Sequence, residues 1–251
     1  MLSNRPNYLV EPVSYENLAG TMQEIEPLQI GKIGGVKLPT SLAELLEEKD
    51  WKRFQQLCDQ YGTQLYLGGG MMDEAIRNGD PFSLVKKLHA AGINTIEISS
   101  PWEIDSRKFL EIAKGIREDF DTMLVEIGEK NNYPYSVQWW IRQLLNAEDT
   151  GADAIVLEGA GTGEVGIYHE DQSPQDGLVE CICERSNDAT KLIIESPRLI
   201  QQEHWIKTFG PNVKLGNLLA TPPLLRFVEM TRTREALKQE RAQSKKRLGL
   251  N

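Results

Sequence analysis

The chain has 251 residues, 40% of them hydrophobic and 26% charged, the balance of an ordinary soluble globular protein with room for one large domain or two small ones. A net charge of −9 argues against a general nucleic-acid binder, no apolar run approaches the length of a membrane span, and the N-terminus lacks the long apolar stretch of a secretory signal. Cys58, Cys181 and Cys183 form no CxxC pair and no metal spacing, and read as reduced thiols of a cytoplasmic protein.

In chain order, Tyr8–Val10 and Leu28–Ile33 give weak strand signals. Stronger ones follow at Gln64–Leu67, Thr95–Ile98, Met123–Ile127, Ala154–Leu157, Leu192–Ile194 and Val213–Leu215. Between them lie amphipathic stretches that predict helices over Ser41–Tyr61, Pro81–Ala91, Ser106–Asp119, Ser136–Thr150, Asp176–Asn187, Leu199–Phe209 and Pro222–Lys245. Gly62, Gly92, Gly151 and Gly210 stand where helices should stop, supplying the left-handed residue that ends them. Nothing reads as an interdomain linker, so residues 1–251 are taken as one domain. Its last segment, about 222–248, is a locally basic helix with a solvated face and a frayed tail. A contact with a neighbouring subunit or an anionic partner is the alternative for that helix, and a homo-oligomer is expected.

Four strands end alike. "NTIEISS", "MLVEIGEK", "AIVLEGAG" and "LIIESPR" place Glu97, Glu126, Glu158 and Glu195 at the tips of apolar runs. The steps between them are 29, 32 and 37 residues, one strand–helix unit each. Eight such units fill roughly 250 residues, the size of a (β/α)₈ TIM barrel of the α/β class. The rival, a doubly wound open sheet, finds no dinucleotide fingerprint after the first strand. Side chains alternate across a strand, so Glu97 shares a face with Thr95 and Ser99 while Ile96 and Ile98 take the other. Likewise Glu126 opposes Val125 and Ile127, Glu158 opposes Ile155 and Leu157, and Glu195 opposes Ile194. In a barrel the apolar set packs outward on the helices and the glutamates point inward at the C-terminal rim, where barrel active sites sit.

Two carboxylates about 6 Å apart at an effective dielectric near 20 repel by roughly 3 kcal/mol. A ring of them must be protonated, paired with cations or bound to metal. An all-oxygen site suits a hard cation such as Mg²⁺. The plain alternative is that each glutamate pairs with a nearby Lys or Arg and ties the rim together. Lys32, in "LQIGKIGG", is placed at the end of the second strand as the internal cation, and Lys130 and Arg198 follow two rim glutamates closely. Gly68–Gly70 in "LYLGGGMMDEA" and the glycines of "EGAGTGEVGIYHED" allow close backbone approach to an anion, or are flexible turns; neither loop matches a P-loop. The three histidines read as surface or packing residues, His169 in its polar loop being the one that could reach the mouth, and no serine or cysteine sits in a nucleophile elbow.

Together "YLGGGMMDEA", "TIEIS", "LVEIGEK", "DTGADAIVLEG" and "LIIESPRLIQQEHWIKTFGPNVKLGNL" resemble the phosphosulfolactate synthase family, in order from about Lys32 to Asn217. The resemblance implies a (β/α)₈ barrel that uses Mg²⁺ to add sulfite to phosphoenolpyruvate, giving (2R)-phospho-3-sulfolactate for coenzyme M or sulfolactate synthesis. It implies catalytic roles for Lys32, Glu97 and Glu126, and metal ligation by Glu126, Glu158 and Glu195. The substrate phosphate would be bound by Gly69, Gly70, Gly161, Gly163, Arg198, Gly216 and Asn217. The expected partner is a small phosphorylated acid, with no nucleic acid and no membrane. This chain departs from the family pattern in several places. Glu11 and Pro12 stand for the Asp-Lys-Gly of the first strand, and "KIGGVK" keeps Lys32 but loses an aromatic residue. Gly70 replaces a threonine, and Ala160-Gly161-Thr162-Gly163 replaces Arg-Glu-Ser-Gly. Two alternatives therefore stand beside the synthase: the same barrel and metal site acting on another enol phosphate or 2-oxo acid, and a non-catalytic barrel serving as a binding or stress-related scaffold.

Overall fold

The computed structural model describes residues 7–25, 32–99, 106–131 and 133–247. Strands and helices alternate along them. The first half comprises β1 (Asn7–Glu11), α1 (Tyr15–Ile25), β2 (Lys32–Leu38), α2 (Thr40–Ala43), α3 (Glu48–Gln60), β3 (Gln64–Leu67), α4 (Gly70–Arg77), α5 (Pro81–Ala90) and β4 (Thr95–Ser99). The second half comprises α6 (Ser106–Arg117), β5 (Thr122–Ile127), α7 (Val137–Asp149), β6 (Ala154–Leu157), α8 (Asp176–Arg185), β7 (Leu192–Glu195), α9 (Leu199–Phe209), β8 (Leu215–Leu219) and α10 (Pro222–Arg247).

The eight strands form one parallel sheet in the order β3-β2-β1-β8-β7-β6-β5-β4, curled into a nearly closed (β/α)₈ barrel. The seam lies between β3 and β4, which carry no ladder to each other among the described residues. Side chains bridge it instead. Gln64 Nε2 donates to Thr122 Oγ1 at 3.0 Å near one end, and the Gly69 N–H donates to Glu97 Oε1 at 2.8 Å near the other. The alternation read from sequence holds: Ile96, Ile98, Val125, Ile127, Ile155, Leu157 and Ile194 are buried outward against the helices. A separate apolar plug of Leu9, Tyr66, Leu124, Ala154, Val156 and Ile193 fills the barrel interior.

Local chemistry sets the helix ends. Asp80 accepts from the Ser83 N–H with Pro81 following it, and Ser136 accepts from the Trp139 N–H, each capping a helix start. Gly62, Gly92, Gly151 and Gly210 take positive φ just beyond α3, α5, α7 and α9, as their positions in the sequence predict.

Four features differ from the sequence reading. The stretch Ser41–Tyr61 is two helices, because Glu47 caps α3: its N–H donates to the Asp50 carboxylate at 3.1 Å. Helices α1 and α4, absent from the predicted elements, are present. The last strand is Leu215–Leu219, not Val213–Leu215. The second strand is Lys32–Leu38, and residues 28–31 of the expected Leu28–Ile33 lie outside the described residues. Register explains both strand errors. Tyr8 pairs with Ile33 but Leu9 with Gly35, so Gly34 is an extra residue in β2; on the other side Tyr8 pairs with Leu215 and Val10 with Leu218. Such bulges break the two-residue rhythm on which a strand is recognised.

Candidate functional site

At the C-terminal ends of the strands, two residues above the plug, a charged layer closes the barrel. Glu97 (β4), Glu126 (β5) and Glu195 (β7) are all buried, and their side chains converge on one cation. That cation is Lys37 of β2. Its Nζ lies 3.0 Å from Glu97 Oε1, 3.2 Å from Glu126 Oε2 and 2.8 Å from Glu195 Oε1. A second ammonium, Lys130 of the loop after β5, sits 2.8 Å from Glu126 Oε1 and 3.0 Å from Glu158 Oε2. Backbone donors complete the layer. Besides the Gly69 N–H on Glu97, the Gly159 N–H donates to Glu195 Oε2 at 2.8 Å. The Ala160 N–H donates to Glu158 Oε1 at 2.6 Å and to Glu195 Oε2 at 3.1 Å.

Lys32 does not hold the place expected of it. It opens β2 at the N-terminal end of the barrel, and its side chain lies outside the described residues. The sequence "KIGGVK" looks like a strand end followed by a glycine turn, but the chain runs straight through the glycines. A Cβ at Gly35 would stand 3.1 Å from both Leu9 Cδ2 and Tyr66 Cε1, so the interior plug needs glycine there. The strand continues to the rim, and Lys37 is the lysine delivered to the carboxylates. Its signal was present: Val36 and Leu38 flank Lys37 as Ile96 and Ile98 flank Glu97, and both pairs face the helices.

Five carboxyl groups, with Glu11 at the end of β1, face two ammoniums here, and the electrostatics follow from that imbalance. Burial, countered in part by Lys37, pushes Glu97 up to about 8. Burial likewise pushes Glu11 up to about 7. Burial together with the charges of Glu126 and Glu195 holds Glu158 well above the usual carboxylate range. Glu126 goes the other way: burial raises it, but Lys37 and Lys130 outweigh burial and hold it below that range. Burial alone would favour neutral Lys37, yet Glu195, Glu97 and Glu126 keep it charged. Glu97 and Glu158 each have one ammonium at 3.0 Å and burial still wins; only Glu126, held by both lysines, is kept ionised against it.

The layer can also take a metal. Glu126, Glu158 and Glu195 each offer an oxygen, and these oxygens lie within 4.8 Å of one another. Glu97 Oε2 is buried without a hydrogen-bond partner among the described residues, and Glu158, whose Oε2 meets Lys130, also shares a side-chain hydrogen bond with Glu126. Carboxylates alone, in excess over lysine, with an acceptor atom unfilled, fit a hard divalent cation.

The glycine loops serve the layer in different ways. Gly69 begins the turn into α4, where a Cβ would stand 3.1 Å from the Ser99 backbone nitrogen, and a Cβ on Gly70 would stand 2.6 Å from Thr40 Oγ1. Across the rim, Gly163 takes φ +68° with the Gln201 amide against it, while Gly161 has open space around it. Gln201 Nε2 donates to the Gly163 carbonyl at 2.9 Å, and Arg198 Nε donates to the Thr162 carbonyl at 3.0 Å, so the start of α9 pins this loop. Gly216 lies inside β8, where a Cβ would stand 3.6 Å from Glu195 Cγ. Asn217 follows in the bulge at φ +55°. Gly161, Gly163, Arg198, Gly216 and Asn217 thus border β6, β7 and β8, and Gly69 and Gly70 border the seam. Behind β7, Tyr168 Oη donates to the Glu195 carbonyl at 2.5 Å and accepts from Trp205 Nε1 at 2.8 Å, which fixes the backbone that carries Glu195. His169 is exposed and takes no part in the layer.

A buried ionic centre at the C-terminal face of a (β/α)₈ barrel is where enzymes of this fold place their chemistry. The chain belongs to the (2R)-phospho-3-sulfolactate synthase (ComA) family, whose pattern it matches over residues 22–222. It is 25% identical over 175 residues to the phosphosulfolactate synthase of Bacillus subtilis (strain 168), covering 68% of this chain and 69% of that one. To the phosphosulfolactate synthase of Methanothermobacter thermautotrophicus it is 24% identical over 195 residues, covering 74% and 72%. Among solved structures, 3-keto-L-gulonate-6-phosphate decarboxylase from Vibrio cholerae superposes with a TM-score of 0.58 at 11% identity over 92% of this chain and 99% of that one, a likeness of fold. No helix of the described residues is long and apolar enough to cross a membrane.

Proposed function

We propose that the chain is a Mg²⁺-dependent carbon–sulfur lyase acting in the synthetic direction, adding sulfite to phosphoenolpyruvate to give (2R)-phospho-3-sulfolactate. Family membership supports the reaction, and the observation that carries it is the Lys37 ammonium locked among three inward carboxylates beneath the barrel mouth. Glu126, Glu158 and Glu195 would hold the metal. Bound Mg²⁺ supplies electrostatic stabilisation of the negative charge that develops on the substrate carboxylate.

The chain's own groups divide the remaining work. Lys37 holds the three carboxylates in register and cancels part of their charge. The sulfur lone pair of sulfite forms the C3–S bond, and the C2–C3 π pair moves onto C2 and its carboxylate. A proton must then reach C2. Glu97 is the donor: with its pKa near 8 it is mostly protonated at pH 7, and Lys37 and the Gly69 N–H occupy only its Oε1. The start of α9 with Arg198, the loop at Gly161 and Gly163, and the Gly216–Asn217 bulge receive the phosphate at one side of the mouth, opposite Gly69 and Gly70.

Phosphorus NMR of the purified chain with phosphoenolpyruvate, sulfite and Mg²⁺ should show a new phosphomonoester signal, and Glu97→Gln should slow its appearance by about 10²–10⁴-fold, the usual range for a general acid. Absence of any new signal at high protein concentration ends this assignment. One observation favours a second reading, in which another enol phosphate or 2-oxo acid is the substrate. The Ala160 N–H is spent on Glu158 and Glu195, and residues 160–163 carry no cation for a substrate pair that bears several negative charges. Thermal shifts with Mg²⁺ and a panel of phosphorylated acids separate the readings, since a ligand at 100 times its Kd adds about 2.7 kcal/mol.

A further inference from the structure

The two lysines of the charged layer are built differently. Lys37 rides on a strand, has a side chain 7% exposed, and touches three carboxylates. Lys130 rides on a loop, has a side chain 54% exposed, and reaches down onto Glu126 and Glu158, which are 2% and 0% exposed. Its ammonium therefore caps the layer from the solvent side. Between Lys130 and the end of β5 stands Gly128 at φ +115°, where a Cβ would strike the Trp140 ring at 2.5 Å and Glu158 Cβ at 2.6 Å. The loop is anchored at that glycine, and the lysine reaches in from beyond it.

Lys130 contacts two of the three carboxylates that can hold a metal. An ammonium seated on Glu126 Oε1 and Glu158 Oε2 would compete with a divalent ion held by the same carboxylates, because the two cations draw on the same acceptor groups and repel each other at close range. Lys37 also contacts two of the three, Glu126 and Glu195, but its side chain is buried on a strand and has no path to solvent, so Lys130 is the cation that can give way. Resting on the metal reading given above, we propose that Lys130 is a tethered stand-in cation: it occupies the metal position while the site holds no ion and swings into solvent when the ion binds. The half-exposed stem gives it somewhere to go, and Glu158 Oε2 is the buried atom it releases. The device keeps the buried carboxylates from repelling one another between metal-bound periods, and it weakens the site's affinity by the strength of the contact that must be broken.

Two measurements on the whole chain test this. In the first, acylation of surface amines followed by mass spectrometry reads Lys130 in the wild-type protein with and without saturating MgCl₂. Displacement predicts that labelling of Lys130 rises several-fold with Mg²⁺ while Lys49, an exposed lysine of α3 that does not touch the layer, is unchanged. In the second, calorimetric titration with MgCl₂ compares wild type with Lys130→Met, which should bind at least ten-fold more tightly. Loss of any nearby positive charge tightens metal binding somewhat, so labelling is the decisive arm. Mg²⁺ binding with unchanged Lys130 labelling, or equal affinity in the two proteins, overturns the stand-in role and leaves the metal reading intact. Absence of Mg²⁺ binding by either protein overturns both.

Discussion

Two layers of the same barrel interior lie one above the other and are chemically opposite. Leu9 and Glu11, Gly35 and Lys37, Leu124 and Glu126, Val156 and Glu158, Ile193 and Glu195 are pairs two residues apart on single strands, about 6.6 Å along the barrel. The lower member of each pair faces the apolar plug; the upper carries the charge. What differs is the supply of donors. Within the ladder most backbone N–H groups are committed to a neighbouring strand, so few are left for an inward side chain, and the inward side chains there are apolar but for Thr95, Gln64 and Thr122, the last two paired with each other. Where the strands end, the turns into the helices release N–H groups, and those of Gly69, Gly159 and Ala160 go to Glu97, Glu158 and Glu195. Buried charge is tolerated at one level of the barrel only, and the plug beneath it supplies the stability that makes it tolerable.

The sharpest way to break this contrast is Lys37→Met, which keeps the stem and removes the charge. It leaves Glu97, Glu126 and Glu195 without their common partner, and breaking a buried ion cluster from one side costs about 3–5 kcal/mol. Urea unfolding at pH 7.5 should show that loss, and product formation should cease. A change in the plug provides the control: Ile193→Val should cost about 0.5–1.5 kcal/mol, the same at every pH. Equal losses for the two variants would mean that the charged layer does not act as a unit.

The legibility of the two layers from sequence was uneven for a physical reason. Strands β4 to β7 keep strict alternation, so the apolar outward set and a lone inward glutamate stand out, and all four glutamates were placed correctly. Strands β1, β2 and β8 carry the bulges at Gly34 and at Gly216–Asn217, which break the alternation where the rim lysine lies. Two adjacent glycines read as a turn because that is their commonest use, which ends the predicted strand at Ile33. The plug's demand for a missing side chain at Gly35 is a tertiary fact that no local pattern carries. Helix α1, with Leu18, Met22 and Ile25 buried at helical spacing, was legible and was overlooked; α4 was hidden by the glycines at its start. The Ala160 contacts were beyond reach, since a backbone N–H leaves no trace in a sequence.

A smaller effect sharpens the comparison through pH. Glu97 and Glu11 have folded pKa values raised to about 8 and about 7 from an ordinary value of 4.5, so the folded chain binds protons that the unfolded chain has lost. Their contribution to stability is fully present below the unfolded value and is lost as pH rises through 7 and 8, at up to about 1.4 kcal/mol per pH unit for each excess proton. Thermal melts in metal-free buffer should therefore fall in Tm from pH 5.5 to pH 9. Glu97→Gln, which cannot ionise, should flatten that slope, whereas Ile193→Val should shift the whole curve and keep its shape. Saturating Mg²⁺ should flatten the wild-type slope as well. An unchanged slope in Glu97→Gln would remove Glu97 as the proton-bearing group, and with it the proton donor assigned to C2.

The smallest effect on stability should come from Arg198→Ala, at the edge of the charged layer. Arg198 is exposed, and its Nε donates to one loop carbonyl, so its loss should change stability by less than about 0.5 kcal/mol. Its consequence should appear in binding. The guanidinium stands where α9 begins, beside the Gly161–Gly163 loop, and the loop itself carries no cation. An arginine whose role is to hold a phosphate before and during the reaction alike raises KM when removed and leaves kcat nearly intact. Steady-state kinetics on Arg198→Ala should show that split, with Arg198→Lys restoring only part of the affinity because it lacks the planar pair of donors. If kcat falls and KM holds, Arg198 acts on the transition state instead, and the reacting carbon lies nearer α9 than the ring of glutamates implies.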